Sequence, residues 1–188
     1  NPTAVNGITD PASVTFGRNS LDLYMLASTQ VDGGKTARCL HMLDLRLSAP
    51  KRLACVTGAD RGLALSPDGR LAVVSSHPPD ATKPATDVAM VSLPEGTVKR
   101  QIRIPLDVAG GGLVDDKGLF VTVGSNAGTY VATIDGPTGA LKAARYADDP
   151  LAMGDWVGPR AFVVLRTTRD AAVLERIDVD GLTAAKLP

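Results

Sequence analysis

Residues 62–76 read GLALSPDGRLAVVSS, an apolar run that stops at Ser66-Pro67-Asp68-Gly69 and restarts at once as Leu71-Ala72-Val73-Val74. Proline presets the first turn angle, aspartate hydrogen-bonds its own backbone, and glycine supplies the positive φ that closes a tight turn. Short apolar runs on both sides, the second carrying Val73-Val74, have the length and composition of strands. The stretch therefore reads as an antiparallel hairpin.

The same frame returns along the chain, starting at residues 14 (VTFGRNSLDLYMLAS), 111 (GGLVDDKGLFVTVGS) and 153 (MGDWVGPRAFVVLRT). The turns carry Arg18-Asn19-Ser20, a segment closing on Gly118, and Gly158-Pro159-Arg160, which places Gly69 and Gly118 as equivalent turn closers. A second pair of strands follows each hairpin. These are 37–45 with 51–57, 87–93 with 97–105, 129–135 with 140–146, and 172–179 with 182–188. Self-similarity at a fixed period is the mark of a repeat architecture. The fold class expected is all-β: a propeller-like array of four four-stranded antiparallel blades near 9–57, 58–105, 106–149 and 150–188, forming one domain over 1–188.

LALSPDGRLAVVSS followed by DVAMVSLPEGTVKRQIRIP resembles one repeat of the YVTN-type, lactonase-like propellers, in which Ser-Pro-Asp-Gly joins the two inner strands. The second unit carries the resemblance well and the other three loosely. It implies blade geometry rather than one chemistry, since such propellers include lyases, lactonases, dehydrogenase subunits and binding scaffolds. It also implies a secreted or periplasmic setting. The lactonase-like members hold a divalent metal in the central channel, and the channel strands here offer Gly110-Gly111-Gly112 and Asp155, which do not match that set.

Propellers of this kind generally have more than four blades. Three arrangements follow: a portion of a larger ring, two chains completing one ring, or a closed four-bladed ring. The end blades read as apolar as the middle ones, with Leu23, Met25, Leu40, Met42 and Leu43 in the first and Phe162, Val163, Val164 and Leu165 in the last. Uncapped faces of that kind need a neighbour.

Composition narrows the function classes. Twenty Lys and Arg balance 20 Asp and Glu, so no global field draws in nucleic acid or an anionic membrane. With 44% hydrophobic and 21% charged residues the chain is globular rather than disordered. No apolar run is long enough to cross a bilayer as a helix. The sequence starts at Asn1 without a Met or signal peptide, as expected of a processed or excised piece whose targeting segment is missing.

Cys39 and Cys55 fall nearly opposite each other on the third and fourth strands. They form either a cross-strand disulfide, which suits an oxidising compartment, or two buried thiols. His41 shares a strand face with Cys39 and reads as a core or half-exposed histidine.

The loop rim gathers Asp60 and Arg61, His77 and Asp80 from the long loop after the second hairpin, Asp107, Asn126, and Asp148 with Asp149. Asp155 stands on an inner strand. These are the candidate ligand-binding residues. Converging carboxylates suit Ca²⁺, yet loop residues are polar in any case, so neither metal nor cofactor is expected. There is no Gly-x-Ser-x-Gly elbow, phosphate loop or His-Glu-x-x-His. The function expected is a non-enzymatic scaffold that binds a protein partner, or a second copy, or completes a larger ring. The alternative is a propeller hydrolase, lyase or oxidoreductase subunit with its active site on the loop rim.

Overall fold

A computed structural model describes residues 8–17, 21–46, 50–56, 59–66, 68–105, 108–113, 120–124, 129–135, 140–147, 151–158 and 160–186 of the chain. Among the described residues the regular structure is sixteen strands and one short 3-10 turn at Asp32–Gly34. The first blade is β1 (Ile8–Phe16), β2 (Asp22–Val31), β3 (Lys35–Asp44) and β4 (Pro50–Val56). The second is β5 (Ala59–Leu65), β6 (Leu71–His77), β7 (Thr86–Ser92) and β8 (Val98–Ile104). The third is β9 (Val108–Leu113), β10 (Phe120–Gly124), β11 (Thr129–Ile134) and β12 (Leu141–Ala147). The fourth is β13 (Leu151–Gly158), β14 (Ala161–Thr167), β15 (Ala172–Asp178) and β16 (Thr183–Lys186). Each sheet keeps chain order, and its pairings are antiparallel throughout.

The Ser-Pro-Asp-Gly turn forms as its residue types dictate. Gly69 sits at φ 71° and donates its amide to the Ser66 carbonyl at 2.9 Å. The Ser66 hydroxyl accepts the Leu71 amide at 3.0 Å, and Asp68 accepts the Arg70 amide at 3.0 Å. Gly118 lies outside the described residues.

The turns also fix how the repeats correspond. Gly17 donates to the Asp22 carbonyl as Ser66 donates to that of Leu71, and Phe16 pairs with Leu23 as Leu65 pairs with Ala72. Tyr24 is therefore the counterpart of Val73, one residue on from the alignment of the quoted stretches. In the third blade the pair is Leu113 with Phe120, a slip of one in the other direction. Because strand side chains alternate, a slip of one exchanges the two faces of a blade.

With that register the cores resolve cleanly. One face of the first blade (Tyr24, Leu26, Leu40, Ala54, Val56) packs on Leu63, Leu65, Ala72, Val74, Ala89 and Val91 of the second. The opposite face of the second blade (Val73, Val88, Met90, Ile104) meets Ile134 of the third. Between the third and fourth blades Glu175, 7% exposed, accepts from Arg166 at 2.9 Å and lies 4.0 Å from Arg145 of β12.

The apolarity expected of the end blades divides between their two faces. Leu40 belongs to the joint with the second blade and Met42 packs against it, while Phe162 and Val164 are fully buried on the face that carries Glu175. What the fourth blade turns outward is Leu165 and Leu174 beside the exposed Arg176 and Asp178. This is a mixed face, more polar than the sequence alone suggests.

Candidate functional site

At the rim where β6 ends and β7 begins, the second blade carries a polar row across β6, β7 and β8, with Asp60 of β5 at the adjoining register position. Asp60 pairs with Ser76, Ser76 with Asp87, and Asp87 with Arg103. Directly opposed residues share a face. The row continues the face that packs on the first blade, so the apolar joint ends in a polar crevice. That crevice is lined by Val56, Ser76, Asp87, Ala89, Gln101 and Arg103, with Val88 and Ile102 also contributing, and its volume is about 270 Å³.

Its electrostatics centre on Arg103. The guanidinium donates to Asp87 at 2.7 and 2.9 Å and to Asp80 at 3.2 and 3.3 Å. Hydrogen bonds from Arg103 hold the Asp80 carboxyl below the usual range, while those to Asp87 and then Asp80 push the guanidinium up. Ser76 is 3% exposed. Ser76 and the neighbouring His77 alternate across β6, so they cannot act together as nucleophile and base.

The expected site residues separate into three groups. Asp80 joins the crevice through Arg103, and His77, opposite Ala59, marks the same rim. Asp60 and Arg61 lie at the start of β5 beside that rim, at register positions only. Asp155 stands in the irregular stretch of β13 between Met153 and Trp156, mid-strand rather than on the rim. Asp107, Asn126, Asp148 and Asp149 lie outside the described residues. Ser76, Asp87 and Gln101 carry no signal in the sequence, and Arg103, with Arg100 on one strand, reads there as a solvated face; they come together only when strand registers are laid side by side. Among the described residues no group of three or more His, Cys, Asp and Glu is placed to hold a metal ion.

A second polar arrangement lies on the first blade. His41, 3% exposed, has its Nε2 2.7 Å from the Thr29 hydroxyl and pairs across the sheet with Arg52. Burial first, and then the Arg52 charge, lower its pKa from 6.5. The unfolded chain binds the proton more readily than the folded one, so stability is full above the unfolded pKa and declines as pH falls below it. Urea titrations should therefore show a smaller unfolding free energy at pH 5.5 than at pH 7.5. His41→Gln should flatten that dependence, and an unchanged slope in the variant would remove His41 as its cause.

No protein-family model matches the chain, and no curated protein does either. Solved structures do. TolB from Acinetobacter baumannii superposes with a TM-score of 0.58 at 21% identity, over 98% of this chain and 43% of its own. The β-propeller domain of the Trilobed protease from Pyrococcus furiosus gives 0.61 at 12% identity, over 99% and 58%. Puromycin hydrolase gives 0.64 at 18% identity, over 96% and 30%. The fold is a β-propeller. The chain spans less than two thirds of each of these proteins, and at such identities the likeness concerns the fold alone. No helix among the described residues is long and apolar enough to cross a membrane.

Proposed function

We propose that the chain is a non-enzymatic propeller scaffold, folded as one domain, that engages other polypeptide through its rim crevice and completes a larger ring through its end blades. The observation that carries the rim half is the crevice of about 270 Å³ between the first two blades. A partner side chain entering the crevice would meet Ser76, Gln101 and the Asp87–Arg103 pair that line it. The Asp87–Arg103 pair offers both an acceptor and a donor to the backbone of the same segment. Pockets between repeated elements, with apolar walls and a few placed polar groups, are common binding sites. An oxidising compartment, secreted or periplasmic, fits the Cys39–Cys55 disulfide. The candidate rim residues Asp60, Arg61, His77 and Asp80 would flank such a segment.

Selection of a displayed peptide library on the immobilised protein tests the rim half. Enriched peptides are expected to bind at least about tenfold more weakly to Asp87→Ala and to Arg103→Ala, whose side chains are partly exposed, with far-UV circular dichroism checking that each variant folds. Failure to enrich any peptide, or binding indifferent to both substitutions, would overturn the crevice as the partner site.

A further inference from the structure

The exposed faces of the two end blades are complementary halves of a joint that the chain already makes within itself. In the joint between the first two blades, Leu63 and Leu65 of β5 pack against the cluster that includes Tyr24, Leu26 and Leu40 of the preceding blade. The register fixed by the hairpin turns makes Val14 and Phe16 of β1 the counterparts of Leu63 and Leu65. Val14 and Phe16 are 57% and 62% exposed. The first blade thus presents the receiving face of a joint with nothing on its two central positions.

The fourth blade presents the other half. Arg145 of β12 approaches Glu175, which identifies the face of Phe162, Val164, Glu175 and Ile177 as the one turned toward the third blade. The opposite face carries Val157, Leu165 and Leu174, exposed by 55%, 38% and 50%. Leu165 and Leu174 pair directly across β14 and β15 and form one apolar patch. Those exposures mean the two end faces do not cover each other within one chain. Among the described residues the inner strands meet β1 on β5 and β5 on β9, while neither β9 with β13 nor β13 with β1 makes a contact of similar extent.

We propose that the occupant of each end face is a second copy of this chain: the Leu165–Leu174 face of one copy seats on the Val14–Phe16 face of the other, twice over. This rests on the ring-completing half of the proposed function and names its partner. A second copy is favoured because it offers, on one molecule, both faces in the form of the joint already used between the first and second blades. A two-fold axis then makes the two new joints identical and closes the assembly. Four blades and four blades give a ring of eight, within the range propellers adopt. The same face also carries Arg176 and Asp178, both exposed, with Arg176 directly opposite Val163.

Light scattering coupled to size exclusion tests this on the whole chain. The wild type is expected at twice the chain mass, and Phe16→Asp and Leu174→Asp are each expected at the monomer mass with unchanged far-UV circular dichroism. Leu141→Asp, at an exposed position on β12 away from both faces, should leave the dimer intact. Mixing Phe16→Asp with Leu174→Asp should restore a dimer, because one joint then combines two unaltered faces; mixing two batches of the same variant should not. A wild-type monomer, or a dimer that survives both substitutions, overturns the second copy as occupant. A monomer that still binds rim-selected peptides would leave the scaffold standing, so the two failures are told apart.

Discussion

Gly96→Val is expected to destabilise the protein by about 3–4 kcal/mol, measured by urea unfolding. Gly96 stands at φ 85°, where a β-branched side chain is strained by about 1–3 kcal/mol. An added Cβ would also lie 2.8 Å from Leu53 Cα and 3.0 Å from Leu53 O. Those are backbone atoms of β4, which no rotamer change can move aside, and overpacking of that kind costs about 1–3 kcal/mol. The turn that holds Gly96 is also where the second blade touches the first, since Lys51 Nζ donates to the Pro94 carbonyl at 3.2 Å. The substitution therefore attacks a joint between blades rather than one hairpin. Gly33→Ala is the control: φ there is 79°, but nothing lies within 4 Å of the added Cβ, so only the left-handed strain of about 1–2 kcal/mol remains. Equal losses in the two variants would show that contact with Leu53 contributes nothing.

The blades were legible in the sequence because a propeller hairpin announces itself locally. Ser66-Pro67-Asp68-Gly69 carries its own turn chemistry, and β6, β7 and β15 begin and end within a residue of the apolar runs that suggested them. What the sequence blurred was phase. Aligning stretches by similarity set Leu71 against Phe120, whereas hydrogen bonding sets Ala72 against it. Similarity scoring is indifferent to a shift of one residue, but a pleated strand is not, because every side chain then changes faces. The same blur hid which apolar residues of the end blades were already used: Phe162 and Val164 look no different in sequence from Val163 and Leu165.

The rim site was half legible for a related reason. Asp80 and His77 were found because they fall in or beside an evident loop. Ser76, Asp87 and Arg103 lie inside strands, where a polar residue reads as solvent-facing decoration until its cross-strand neighbours are known. Only the row Ser76, Asp87, Arg103, assembled from two separate registers, turns scattered polar residues into one surface.

Reduction of the Cys39–Cys55 bridge should lower the melting temperature by about 6–12 °C. The two cysteines are direct partners in the β3–β4 register and are joined as a disulfide, leaving no free cysteine. Their separation is 16 residues, and closing a loop of about that length removes about 3 kcal/mol of chain entropy from the unfolded state. For a chain of this size, 1 kcal/mol corresponds to about 2–4 °C. Cys39 is fully buried, so reduction adds a small cost at the sulfur, and Cys39→Ala/Cys55→Ala separates that cost from loss of the crosslink. Thiol labelling of the unreduced, denatured protein is expected to find no reactive cysteine, and labelling after reductant should find both. The compartment reading stands or falls with the same measurement. Protein recovered from an oxidising compartment should carry the bridge without added oxidant, and protein made in a reducing cytosol should show the lower melting temperature until oxidised. Full labelling without reductant in both preparations would remove the bridge, and with it the physical support for a secreted or periplasmic setting.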